Sequence, residues 1–293
     1  MRDTKKSMRI SYGTLGMALL VIEILVVVLA PIIAPVSPTR QFYNAMLQGP
    51  SAQHWFGTDS LGQDVLSQVI WGGRISLLLG LAVTVLSGIG GLALGFLSLA
   101  RRMDFWTMRV VDAIMSFPPI LLALAIIGAV GSGLWTEIVV ISIAFAPYNA
   151  RIVRSEVLRL RSMPFVEAAD ALGASPLRVM LHHLLPNSRS AIVVQMTFVF
   201  SRAIVLDAAL GYLGLGVPPP TPTWGTLIAN SQPYLATAWW AWLAPSMAII
   251  VTTVLVSIVG KEFGQSSPRL MTEMAFSGEE ALPETIVEIG SVS

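Results

Sequence analysis

The chain has 293 residues, of which 54% are apolar and only 12% are charged, and its net charge is +1. Soluble domains carry about 25% charged residues, so this composition excludes an ordinary soluble enzyme and predicts a protein that crosses a membrane several times. The chain has no cysteine, which excludes disulfides, thiolate nucleophiles and cysteine-based metal sites.

Six apolar runs predict six membrane-spanning helices and an all-α fold, because about 20 residues cross the hydrocarbon core of a bilayer. The first run has 22 residues and is an uncleaved span, since the apolar region of a secretory signal has about 7–15. Its Glu23 is expected to hydrogen-bond a neighbouring helix, which we prefer to substrate contact. The predicted spans are Gly13–Ala34, Ile75–Ala100, Ala113–Val130, Trp135–Ile152, Ala191–Leu215 and Leu243–Gly260.

Glycine and proline modify two of these spans. Gly91 and Gly95 form a G-x-x-x-G pattern in the second span, which permits close approach of another helix. Phe117-Pro118-Pro119 begins the third span and is expected to bend its first turns.

The distribution of basic residues predicts the orientation. Of the 18 lysines and arginines, 15 fall on the side of the two termini, only Arg40 and Arg74 fall on the other side, and Arg202 lies inside a span. Basic residues accumulate on the cytoplasmic side of a membrane protein. Both termini are therefore predicted to be cytoplasmic.

The segment between the first two spans is polar. Gly62 after Asp59-Ser60 indicates a turn. Asp59 and Asp64 raise the question of calcium, but an EF-hand needs further acidic ligands at fixed spacing and a closing glutamate. Calcium binding is therefore not expected here.

The segment 162–187, between the fourth and fifth spans, predicts a helix, a glycine corner and a second helix. Pro164 suits the first turn of a helix, and Gly173 suits the left-handed residue at its end. The first helix has one apolar stripe, with acidic residues off it towards the positive end of the helix dipole. The stripe is Phe165, Ala168, Ala169 and Leu172, and the acidic residues are Glu167 and Asp170.

Ser175-Pro176 predicts an N-cap followed by proline at the first helical position of the second helix. Pro186 is expected to end that helix. Its predicted apolar stripe is Leu177, Met180, Leu181 and Leu184. From the residues alone, this segment is also compatible with an ordinary pair of helices at the membrane surface.

Two charged residues lie inside the fifth span. Arg202 and Asp207 fall on different helix faces, so they need not pair with each other. A charge at this depth faces the interior of a bundle or a water-filled path. Both are candidates for the lining of a translocation path, and a structural partner on another helix is the alternative.

The segment 162–187 contains Glu167-Ala168-Ala169, then Gly173, then Leu185-Pro186. This pattern resembles the cytoplasmic EAA loop of bacterial ABC importer permeases. In that family the loop docks a short helix on the ATPase subunit. The resemblance gives the coupling role to eight residues: Phe165, Glu167, Ala168, Ala169, Asp170, Leu172, Gly173 and Pro186.

Three further motifs resemble the dipeptide, oligopeptide and nickel branch of that family. They are Phe56-Gly57-Thr58-Asp59 with its continuation to Leu77, Gly211–Trp224, and Pro268-Arg269. Gln63 and Gln68 stand where the branch usually has arginine, so a salt bridge from those positions is not expected here. The resemblance implies an N-terminal part (1–73) and a type I ABC importer transmembrane domain (74–264). The composition of the remaining residues predicts a solvated, weakly ordered acidic tail (265–293), cytoplasmic like the rest of that side.

The resemblance also implies partners: a second homologous permease subunit, two ATPase subunits, an extracytoplasmic solute-binding protein, a peptide substrate and membrane lipid, with no nucleic acid. It implies location in the bacterial cytoplasmic (inner) membrane. The chain has no P-loop and no H-E-x-x-H motif, so no catalytic residue, metal site or cofactor is expected, and ATP is expected on the partner subunits. The alternatives are a nickel or metal-chelate permease and, in another class, a channel or scaffold without ATPase partners.

Overall fold

The computed structural model describes residues 12–98 and 101–279, without the side chains of residues 12, 101, 102, 170, 176 and 265–279. Within these ranges the chain is helical, with two isolated β-bridges in the segment before the second long helix. The helices are α1 Tyr12–Val28, α2 Ala30–Ile33, α3 Val65–Leu97, α4 Arg101–Met115, α5 Pro119–Val130, α6 Leu134–Arg161, α7 Pro164–Ala171, α8 Pro176–Val179, α9 Leu185–Tyr212, α10 Trp224–Ser231 and α11 Trp239–Glu279.

Four of the described helices are long and apolar enough to cross a membrane: α3, α6, the continuous helix Leu177–Tyr212, and Trp239–Gly264 of α11. Helices α4 and α5 make a fifth span only as a pair, and they meet at 84°. The apolar helix of residues 13–28 is shorter than a full span. All six predicted spans therefore correspond to helices, while the count of six stays a prediction.

The predicted boundaries need correction at several helix ends. Helix α3 begins at Val65, ten residues before the predicted start, because the side chain of Asp64 caps it. The bend predicted at Phe117-Pro118-Pro119 is confirmed, and it is a complete break between two helices: Pro118 is extended (ψ 132°) and Pro119 starts α5. Proline disfavours helical backbone in the residue before it, which separates α4 from α5.

Helix α11 passes the predicted end of the last span at Gly260 and continues to Glu279. The first part of the predicted tail, 265–279, is therefore helical, and residues 280–293 lie outside the described residues.

Helices α3 and α6 approach closely through the predicted glycine pattern. A Cβ at Gly91 would lie 3.0 Å from the backbone N of Ala150, and one at Gly95 would lie 2.8 Å from Cβ of Val153. The main core continues from this contact between α3, α5, α6 and α9, with Leu79, Ile127 and Ile141 almost fully buried.

Glu23 of α1 accepts a hydrogen bond from the Thr252 hydroxyl of α11. The predicted hydrogen bond to a neighbouring helix is confirmed. It joins the first helix to the last one at membrane depth, where an unpaired carboxyl group is costly.

The polar segment before α3 is closed by its own side chains. Gly62 has φ +71° and donates its N–H to the Asp59 carbonyl, which confirms the predicted turn. Gln68 donates to a carboxylate oxygen of Asp59 at 2.8 Å and to the Gln63 side chain. The two glutamines therefore form a hydrogen-bonded network with Asp59. The described residues include no group of three or more His, Asp or Glu side chains able to hold a metal.

Asp64→Ala is expected to lower the stability of the purified protein by about 2 kcal/mol, the upper range for loss of a helix cap. Asp64 is 1% exposed, accepts from the Ser67 N–H and hydroxyl at 2.9 and 2.8 Å, and lies 2.9 Å from His54 Nδ1. Thermal unfolding in detergent measures the loss. Asp64→Asn keeps an acceptor for the Ser67 N–H and should lose clearly less. Equal unfolding temperatures for the two variants would contradict the cap assignment.

Candidate functional site

The segment 162–187 folds as helix, corner and helix, as predicted. Helix α7 begins at Pro164, and Gly173 has φ +75°, a left-handed conformation that favours glycine. The N–H of Ala174 bonds the Ala169 carbonyl across the corner at 3.0 Å. The Ser175 hydroxyl accepts from the Arg178 N–H at 3.4 Å, so the predicted N-cap of α8 is confirmed.

The prediction that Pro186 ends the second helix is wrong. Met180–Leu184 forms a π turn, in which the Leu185 N–H bonds the Met180 carbonyl, and Pro186 lies in the first turn of α9. The wider π turn accommodates a residue that lacks an N–H, and the Asn187 side chain donates to the His183 carbonyl at 2.6 Å. The loop therefore continues directly into the long helix α9.

The apolar stripe predicted for α7 is divided between two faces. Ala169 is buried, together with Val166, which the pattern did not include. Phe165 is 40% exposed, Leu172 is 89% exposed, and Ala168 is exposed. The inward face packs within the subunit, and the outward face leaves an apolar surface.

The second predicted stripe is divided in the same way. Met180 and Leu184 are buried, whereas Leu177 and Leu181 are 53% and 49% exposed. The buried residues form one cluster, the loop core, which joins α6, α7 and α8. Its members are Val153, Val157, Leu160, Val166, Ala169, Val179, Met180 and Leu184.

Charged side chains flank this loop. Arg154 of α6 binds both carboxylate oxygens of Asp104 in α4 at 2.6 and 2.7 Å, a bidentate geometry that fixes α4 against α6. Glu167 is exposed, and its carboxylate makes no ion pair with the side chains that the structure describes. The position of Asp170 lies on α7, and its side chain is outside the description.

Arg202 and Asp207 lie on opposite faces of α9. Asp207 is 1% exposed and accepts from the Ser76 hydroxyl of α3 at 3.0 Å. Ser76 in turn accepts from the backbone N–H of Trp224 at 3.2 Å, which ties α3, α9 and α10 together. Arg202 is exposed and faces away from these groups.

Arg202 borders an open cavity of about 470 Å³ between α5, α6, α9 and α11. The other lining residues are mostly apolar, and Asp207 does not line this space. Of the two charged candidates, Arg202 therefore has the geometry of a lining residue and Asp207 that of an internal structural one.

Residues 87–265 match the family described as binding-protein-dependent transport system inner membrane components. A Brucella suis protein named as a peptide transport system permease is 40% identical over 271 residues, 92% of each chain. The chain belongs to this family. A Pseudomonas aeruginosa permease named for di- and tripeptide transport is 38% identical over 84% of each chain.

The fold of this permease also matches solved transporters. A structure of the MetNI methionine ABC transporter in an inward-facing conformation superposes with a TM-score of 0.59 over 68% of this chain and 95% of that chain, at 20% identity. The fold is therefore that of a type I ABC importer transmembrane domain, and the family places the permease in the inner membrane.

Sequence reasoning missed Glu137 of this permease, which is 0% exposed and adjacent to Asp207. It is the single acidic residue of the fourth predicted span, a signal that could have led to it, because a buried carboxyl group in an apolar run needs a specific environment. The two carboxyl groups lie where α6 meets α9, and both oxygens of Glu137 are buried without a hydrogen-bond partner among the described residues.

Proposed function

We propose that this permease forms half of the translocation path of an importer for di- and oligopeptides, together with a second homologous permease. Two ATPase subunits would bind on the cytoplasmic side and hold the ATP, one of them at the segment 162–187, so that this chain needs no cofactor of its own. A solute-binding protein would deliver the peptide on the opposite side. The peptide class rests on the names of the relatives at 38–40% identity.

The observation that carries the coupling role is the outward face of α7. Leu172 is 89% exposed directly after α7, beside the corner at Gly173, and Glu167 of α7 makes no ion pair with the described side chains. An exposed apolar patch with a free charge is typical of a protein interface. The excess of basic residues beside this loop supports its cytoplasmic location, where ATPase subunits are found.

The loop core explains how force from an ATPase would reach the spans. Val166 and Ala169 of α7 belong to the same buried cluster as Val157 of α6 and Met180 before α9, so a movement of α7 would be transmitted to both flanking helices. Differential binding of the ATPases to two arrangements of the bundle would then bias outward against inward access.

The test is uptake of a labelled dipeptide by proteoliposomes that contain both permeases and both ATPase subunits, with the solute-binding protein outside. We expect uptake that requires ATP in the compartment of the ATPases, and ATPase subunits that co-purify with this chain. Uptake without ATP, or purification without ATPases, would indicate a channel or scaffold. Transport of a metal chelate but of no peptide would overturn the substrate class.

A further inference from the structure

Arg202 is an unpaired cation at membrane depth. It makes no ion pair with the described residues, and the two acidic side chains of this region, Asp207 and Glu137, are buried at 1% and 0% exposure on the other side of α9. Ten residues separate it from the end of α9 at Tyr212, about 15 Å along the helix, or half of the ~30 Å hydrocarbon thickness. An arginine here requires water or an anionic partner.

The cavity beside Arg202 has the size and chemistry of a small-molecule site. Its ~470 Å³ falls within the range of about 300–1,000 Å³ for such sites, which are mostly apolar with a few polar groups. The Ser201 and Thr253 hydroxyls are already bonded to carbonyls of their own helices. Tyr148 also lines the space, so the guanidinium is the charged group, and the Tyr148 hydroxyl the neutral one, that remain available to bind an anion.

We propose that Arg202 binds the carboxylate of the peptide as it passes, which makes this cavity a mid-membrane site for peptides with a free C-terminus. A guanidinium binds a carboxylate through two parallel hydrogen bonds, and the apolar lining strengthens that interaction because it lowers the local dielectric constant below that of bulk water. The surrounding apolar surface from Phe145, Val205 and Ala209 accommodates side chains without selecting among them. The proposal rests on the proposed function, since it concerns the same cargo.

The test uses the complete transporter in proteoliposomes, with dialanine and dialanine amide as probes. The affinity of the solute-binding protein for each probe is measured first. Uptake is then compared at probe concentrations that saturate this protein, so that a difference in its binding of the two probes does not affect the result. We expect Arg202→Gln to lower the maximal uptake of dialanine by roughly tenfold or more, the effect of losing a desolvated charged hydrogen bond. Uptake of the amide should change little. Arg202→Lys should recover part of the loss, because lysine keeps the positive charge but cannot make the two parallel hydrogen bonds of a guanidinium.

Arg74→Gln is the matched control, because Arg74 is exposed in α3 and stacks 5.0 Å from the Trp71 ring, outside this cavity. It should leave the ratio of the two uptake rates unchanged. Equal loss of both probes in Arg202→Gln, or loss of the second permease from the complex, would overturn the proposal and make Arg202 a structural partner of that subunit. Absence of any peptide uptake by the unchanged transporter would instead refute the proposed function, and the carboxylate site with it.

Discussion

Gly173→Val is expected to reduce ATP-driven uptake about 30-fold while the permease still inserts and assembles. Gly173 has φ +75°, and a β-branched residue in this region costs about 2 kcal/mol, which shifts the equilibrium constant between the native corner and its alternatives about 30-fold. A Cβ there meets no atom within 4 Å, so the effect comes from the backbone and not from a clash. The corner sets the direction of Leu172, and its loss displaces the surface that we propose binds the ATPase.

Gly173→Asn is the matched control, because asparagine tolerates the left-handed conformation and the space is open. It should retain most of the uptake. The measurement pairs peptide uptake with ATP hydrolysis in the same proteoliposomes, and we expect hydrolysis to persist in the valine variant while uptake falls. Normal uptake by Gly173→Val would show that the loop is not the point of coupling.

Gly91→Leu is expected to prevent stable folding of the bundle, with a loss of more than about 3 kcal/mol from overpacking. A Cβ at this position already lies 3.0 Å from the backbone N of Ala150, so the added side chain must separate α3 from α6. Gly91→Ala should give an intermediate loss, because the better helix propensity of alanine offsets about 1 kcal/mol.

Gly128→Leu in α5 is the control for the same change, since no atom lies within 4 Å of a Cβ there. Fluorescence-detected size-exclusion and thermal unfolding in detergent would follow all three variants. If Gly91→Leu and Gly128→Leu had equal yield and unfolding temperature, close packing of α3 on α6 would not be what stabilises the bundle.

Local chemistry made parts of this structure predictable. Gly173 and Ser175 carry backbone requirements that few other residues satisfy, so the corner and the cap followed from the sequence. The hydrogen bond of Glu23 followed from the cost of a carboxyl group in lipid, although its donor, Thr252, could not be identified from composition.

The errors arose where distant contacts overrode local preference. Pro186 would end an isolated helix, but the π turn before it lets the chain continue into α9. Leu172 belongs to an apolar stripe by spacing, yet the tertiary packing of α7 buries Val166 instead. The closeness of the Glu137 and Asp207 side chains depends on how α6 and α9 meet, which no short stretch of sequence specifies.

The bond between Glu23 and Thr252 has a consequence for biosynthesis. Its two partners are 229 residues apart, and at about 5–20 residues per second the ribosome makes the second roughly 10–45 s after the first. During that interval α1 can pack on α3, where Val27 meets Gly73, but the Glu23 carboxyl group lacks its hydrogen-bond donor. The hydrogen bond that ties α1 to α11 is thus completed only when the last described helix has been made.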